Sequence, residues 1–199
     1  MCGYSGFINF DKQNSEQNNI QNLKKMLNQI KFRGPDDSDT WNYKNLLFIG
    51  HNRLSIMDLS KKGSQPMISQ NNRYVIAYNG EIYNHLTLRQ NIRDRKNFFW
   101  NSTSDTETIL EYVNLFGLEK SLESFEGMFS FALFDKIEKV FILVLDILFA
   151  IVEINVESIP PDKNDPTDTS EISCELTLEN NNFSSSFIQS FSELNLFKS

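Results

Sequence analysis

A cysteine stands at position 2, directly behind the initiator methionine and before Gly3. Removal of Met1 would give Cys2 both a thiol and a free α-amino group. An α-amine has an ordinary pKa of about 7.7–8.0, close enough to neutrality for general-base work. A thiol is intrinsically nucleophilic once deprotonated. One residue can therefore supply nucleophile and base, directly or through a water. Taken alone, a terminal cysteine reads more readily as a small apolar residue at a frayed end. The run GYSGFINF over residues 3–10 argues against fraying, because it has the character of a strand that ties the end down. No cluster of His, Cys, Asp and Glu has metal-ligand spacing, so the metal expectation is none.

Five further pieces stand along the chain: Arg33-Gly34-Pro35-Asp36, the run HNRLSIMD from His51 to Asp58, Gln65-Pro66-Met67, the run NGEIYN from Asn79 to Asn84, and Ser104-Asp105-Thr106-Glu107. Met1-Cys2-Gly3 precedes them and the run EGMFSFA from Glu126 to Ala132 follows. In order and approximate spacing the set resembles the glutaminase domain of asparagine synthetases, a class II glutamine amidotransferase with an N-terminal cysteine nucleophile. Seven motifs in one order are specific, although any one alone would be weak.

The resemblance implies a chemistry that the residue types can perform. The Cys2 thiolate would attack the side-chain carboxamide of glutamine, release ammonia and leave a glutamyl thioester for water to hydrolyse. Asn79, through its side-chain amide, and Gly80, through its backbone N–H, match the family's oxyanion donors, and such preorganised donors stabilise a tetrahedral intermediate. Arg53 matches the arginine that binds the α-carboxylate, a task suited to a guanidinium fork. Asp105 matches the residue that holds the α-ammonium. Glu81 would line the same pocket, and Leu54, Ser55, Ile56 and Met57 would add backbone contacts. Arg33 and Asp36 would border the site as architecture. His51 and His85 invite a Cys–His dyad, but the family needs no histidine base, so structural or surface roles are expected for both.

The elements that must position these residues are partly readable. Ile20, Leu23, Leu27 and Ile30 recur at helical spacing after a polar loop over 11–19, and Gly34-Pro35 stops that helix. Residues 46–49 and 74–78 are short β-rich runs, and Asn79-Gly80 reads as a tight turn after the second. Ser104-Asp105-Thr106-Glu107 has the form of a capping box before Ile109, Leu110, Val113 and Phe116, with Gly117 as the stop. Residues 129–134 and 140–145 read as a hairpin about a polar turn, apolar on nearly every position and so covered on both faces. The mixture indicates an α+β fold with a largely antiparallel sheet. The resemblance supplies the particular form, the four-layer αββα sandwich of N-terminal nucleophile hydrolases.

Composition divides the chain. Of 199 residues, 26 are acidic and 19 basic, for a net charge of −7. Residues 1–146 hold 17 of each sign, so the whole excess lies in 147–199, where Lys163 and Lys198 face 9 acids. A neutral body with an acidic end lacks the concentrated basic surface that nucleic acid requires. Two cysteines make no disulfide framework and fit a reducing compartment, so the expected location is cytoplasmic. The most apolar run, 140–152, is 13 residues long and contains Asp146, too short for a membrane span, which needs roughly 20 residues.

The resemblance ends near Asp146. Relatives continue with an Arg-Asp pair and a glycine-containing segment into a second domain that binds ATP, adenylates aspartate and accepts the ammonia. Here Leu145 stands at the arginine, and the last glycine is Gly127. The expectation is a glutaminase domain over 1–146, followed by an acidic, divergent and weakly ordered tail over 147–199 from a truncation or frameshift. No cofactor is expected, since ATP and Mg would bind only the absent synthetase domain. Glutamine is the expected substrate, with a separate ammonia-accepting synthetase chain as a candidate partner. The alternative, of a different class, is a non-catalytic remnant or glutamine-binding module.

Overall fold

A computed structural model of the chain describes residues 2–10, 14–145, 150–155 and 174–178. Strand β1 (Gly3–Ile8) opens the fold, followed by helix α1 (Glu16–Gln29), β2 (Asp37–Tyr43) and β3 (Leu47–Arg53). A two-residue strand β4 (Met67–Ile68) precedes β5 (Tyr74–Ile82). Helices α2 (His85–Arg95), α3 (Asp105–Phe116) and α4 (Leu118–Ser124) lead to β6 (Gly127–Asp135) and β7 (Val140–Leu145), and β8 (Ala150–Asn155) and β9 (Cys174–Leu178) follow. The strands form two antiparallel sheets, of order β1-β3-β2 and β4-β5-β6-β7-β8-β9. No helix among the described residues is long and apolar enough to cross a membrane.

The layers follow from side-chain alternation along the strands. On β3, Phe48 turns to one face and packs with Leu23 and Leu27 of α1. Leu47 and Ile49 turn to the other face and meet Val75 and Ala77 of β5 and Phe134 of β6. On β5 the intervening Tyr74, Ile76 and Tyr78 join a third cluster with Leu88 and Ile92 of α2 and Ile109, Leu110 and Val113 of α3. Helix, sheet, sheet and helices thus stack around three apolar seams. This is the αββα order expected from the resemblance. The hairpin of β6 and β7 is present, with Phe131, Leu133, Ile142 and Val144 on the helix side.

Several local expectations change. Helix α1 begins inside the expected 11–19 loop, because Ser15 caps it by accepting from Asn18 N–H at 3.3 Å. Residues 11–13 lie outside the described residues. Asn79-Gly80 is not a turn: β5 runs through it to Ile82, with Asn79 opposite Ser130 and Gly80 opposite Phe129 on β6. Gly80 has φ +152°, and a Cβ there would collide with the Met128 carbonyl, so glycine permits the close approach of the two strands. The capping box is half formed. Ser104 Oγ accepts from Thr106 N–H at 3.1 Å, but Glu107 accepts from Asn101 and Ser102 instead of returning to Ser104. Within the expected tail, β8 pairs with β7 and β9 with β8, so those two segments extend the sheet. Their β-branched residues suit that role, and pairing covers the backbone edge that β7 would otherwise expose. The rest of 147–199 lies outside the described residues, apart from β8 and β9.

Candidate active site

Cys2 immediately precedes β1, and antiparallel pairing of Gly3 with Asn52 lays it beside the end of β3. Its Sγ accepts from Leu54 N–H at 3.3 Å and lies 3.6 Å from the Leu54 carbonyl. The Cys2 carbonyl accepts from Arg33 Nε at 3.0 Å. Asp36 accepts from Ser55 N–H at 2.7 Å, and its own N–H donates to the Arg53 carbonyl at 3.0 Å. Arg33 and Asp36 therefore tether the two segments around the thiol.

Arg53 ends β3 and is only 7% exposed. Its guanidinium donates to the Ser60 carbonyl at 2.8 Å and to the Asp58 carbonyl, so the 54–60 loop curls around it. Gly63 leaves room for it, since a Cβ at that position would meet the guanidinium. Asp58 stabilises the loop from inside. Burial alone would raise its carboxyl pKa, but hydrogen bonds from Ser60 and Thr103 outweigh that and hold it at about 2. Among the described residues, no carboxylate lies within 4.0 Å of the Arg53 guanidinium.

Asp105 starts α3, 6% exposed. It accepts from Tyr78 Oη at 2.8 Å and Ile82 N–H at 3.1 Å through Oδ2, and from Thr106 N–H at 3.0 Å through Oδ1. The segment before it is pinned by Arg89 of α2. That buried guanidinium donates to the carbonyls of Ser102 and Ser104 at 3.0 and 2.7 Å and lies over the Trp100 ring. No cation among the described residues pairs with Asp105 either.

These groups meet in one cavity of about 280 Å³, near the low end of ligand pockets and suited to a small metabolite. Cys2, Arg53, Asn79, Gly80 and Asp105 all line it, together with Glu81 at its exposed rim. Leu54, Ile56 and Met57 line it as well, whereas Ser55 does not. Asn79 Oδ1 is buried without a hydrogen-bond partner among the described residues. A half-turn of that carboxamide would set its two donors where the acceptor now stands. Of the histidines, His51 lies outside the cavity lining, and its Nε2 donates to the Tyr78 carbonyl at 3.0 Å. Burial, aided by the Arg53 charge, lowers its pKa to about 4, so the ring is neutral. Burial also lowers the pKa of His85. Tyr78 and Gln65 line the cavity although the sequence reading gave neither a role in the site. The signals were present: Tyr78 precedes the Asn-Gly pair, and Gln65 opens one of the seven motifs.

Comparison with known proteins decides the family. A sequence model of the glutamine amidotransferase domain matches residues 1–149. The chain belongs to that family. Glutamine-hydrolysing asparagine synthetase 3 of Bacillus subtilis (strain 168) is 38% identical over 139 residues, covering 68% of this chain and 22% of its own. A putative glutamine-hydrolysing asparagine synthetase 2 of Methanocaldococcus jannaschii is 38% identical over 153 residues, with 68% and 28% covered. The amidotransferase domain described above thus spans about a quarter of the length of these curated relatives. Among solved structures, the glutamine phosphoribosylpyrophosphate amidotransferase of B. subtilis with ADP and GMP aligns with a TM-score of 0.42 and 26% identity, covering 50% of this chain and 23% of that one.

Proposed function

We propose that the chain hydrolyses glutamine to glutamate and ammonia, with Cys2 as nucleophile once Met1 is removed. The observation that carries this reading is the charge pair in the cavity. Arg53 and Asp105 are both buried, opposite in sign, and without an ionic partner among the described residues. Buried charges of this kind call for compensation. Free glutamine supplies it, with a carboxylate for Arg53 and an ammonium for Asp105, and its carboxamide is then left to reach toward Cys2.

The Cys2 thiolate adds to the carboxamide carbon. The Asn79 amide and the Gly80 N–H stabilise the resulting oxyanion. The α-amine of Cys2 takes the thiol proton and returns it to the departing nitrogen, so that ammonia leaves and a thioester forms. Water then attacks the thioester, regenerating the thiol and releasing glutamate. The chain's own groups suffice for these steps. The ammonia would pass to a separate synthetase-type chain for asparagine synthesis or a related amidation, and a reducing cytoplasm suits a catalytic thiol.

Ammonia release from glutamine by the purified chain tests the reading, with the intact mass recorded alongside. The expected result is a mass lacking Met1, ammonia produced from glutamine, and none from Cys2→Ala. Retained Met1, or a folded chain that releases no ammonia, would overturn it.

A further inference from the structure

A closed ring of hydrogen bonds joins β5 to the start of α3 behind the cavity. The Tyr78 hydroxyl donates to Asp105 Oδ2 at 2.8 Å. The Tyr78 backbone N–H donates to Gln65 Oε1 at 2.7 Å, and Gln65 Nε2 donates to Thr106 Oγ1 at 3.2 Å. Thr106 N–H closes the ring on Asp105 Oδ1. The Tyr78 carbonyl accepts from His51, so each polar group of this tyrosine has a partner. All four ring residues are buried. A buried network of this kind, with each member hydrogen-bonded to the next, favours one geometry.

A carboxylate offers about four acceptor sites. Among the described residues, Tyr78 Oη, Ile82 N–H and Thr106 N–H fill three of those on Asp105, which leaves one for a donor arriving from the cavity. Two of the three are peptide groups fixed by the fold. The third, the tyrosine hydroxyl, is the only side chain among them. Burial pushes its pKa far up and the neighbouring Asp105 charge adds to this, so it stays protonated and can only donate toward the carboxylate.

We propose that Tyr78 is a positioning residue that holds the Asp105 carboxylate with its single vacant acceptor site facing the cavity, and so sets the preference for substrates that carry an α-ammonium. This rests on Asp105 being the ammonium partner. Without the hydroxyl, Oδ2 keeps only Ile82 N–H, the carboxylate gains a second vacant site, and its plane is held by the two peptide groups alone.

The test compares ammonia release from glutamine with release from 4-carbamoylbutanoate, which is glutamine lacking its α-amino group. The full chain and its Tyr78→Phe variant are used. The quantity read is the ratio of kcat/KM for the two substrates, in which any inactive or unfolded fraction cancels. The hydroxyl's bond to a charged group implies a fall of about tenfold in that ratio in the variant, carried by the KM for glutamine. General loosening of the site would lower both substrates together, leave the ratio unchanged, and overturn the proposal while sparing the glutaminase reading. A wild-type chain active on both substrates without preferring glutamine would overturn Asp105 as the ammonium partner and the proposal with it. A wild-type chain inert toward glutamine would overturn the glutaminase reading itself, and the proposal falls too.

Discussion

Arg53 holds two tasks with one guanidinium. It donates to the carbonyls of Ser60 and Asp58, which shapes the 54–60 loop, and in the proposed reaction it also meets the substrate carboxylate in the cavity that it lines beside Cys2. Its planar fork makes both possible, because its five donors point in fixed directions. Lysine would keep the charge but present a point ammonium that cannot span two carbonyls and a carboxylate together. Arg53→Lys should therefore raise the KM for glutamine by about tenfold or more while kcat changes much less, since the lost contacts lie far from the reacting carboxamide. Steady-state ammonia release reads this directly, and an unchanged KM would remove Arg53 from substrate binding. Its place in the cavity could be expected from sequence only because His51-Asn52-Arg53 stands in register with other motifs. A lone arginine after a β-rich run reads as a surface residue. Its burial depends on the 54–60 loop, whose course follows from Asp58 and Gly63 and not from any periodicity.

The elements were legible where one face is apolar and illegible where a polar run is structured by its neighbours. Helix α1 shows its Leu23 and Leu27 stripe, and the β6–β7 hairpin shows two continuous apolar arms. Strand β2, with Asp37, Ser38, Asp39 and Asn42 along it, carries little apolar signal; pairing with β3 is what makes it a strand. Helix α2 buries Arg89 along with Leu88 and Ile92, which breaks the usual amphipathic pattern. The Asn79-Gly80 pair misleads for a related reason, since its turn chemistry is overridden by a nine-residue ladder with β6. What binds the two sheets is clearest at Phe134. Its side chain is fully buried, with ring centroids 5.7 Å from Trp41 and 4.9 Å from Tyr43 on the facing sheet. Phe134→Ala should cost about 3–5 kcal/mol, because a large cavity opens between two sheets that cannot both collapse onto it. Urea unfolding should show a lower midpoint at unchanged slope. A loss below about 1 kcal/mol would mean that the sheets do not share their core there.

At the scale of the whole molecule, the net charge of −7 predicts little about stability, whereas one buried and one half-buried histidine predict a good deal. In the fold His51 is fully buried and its pKa falls to about 4, against about 6.5 when unfolded. The unfolded chain therefore binds a proton that the native chain refuses. Stability is complete above pH 6.5 and declines as the pH falls toward 4, by about 3 kcal/mol from this one group. His85, lowered by its partial burial, adds to the same window with the same sign. The carboxylates act elsewhere. Asp58, at about 2, and Asp37 and Asp135, also lowered in the fold, keep their stabilisation until the pH falls below the ordinary carboxylate range. Loss between pH 6.5 and 4 is thus assigned to imidazole, and principally to His51. His51→Gln keeps a side-chain N–H able to meet the Tyr78 carbonyl but has nothing to titrate. Urea midpoints measured across this range should fall steeply for the wild type. The variant should begin lower at pH 7.5, from imperfect packing, and then decline far less, with only the His85 share remaining. Equal slopes for the two proteins would show that His51 takes up its proton without unfolding and that its burial does not set the acid limit of the fold.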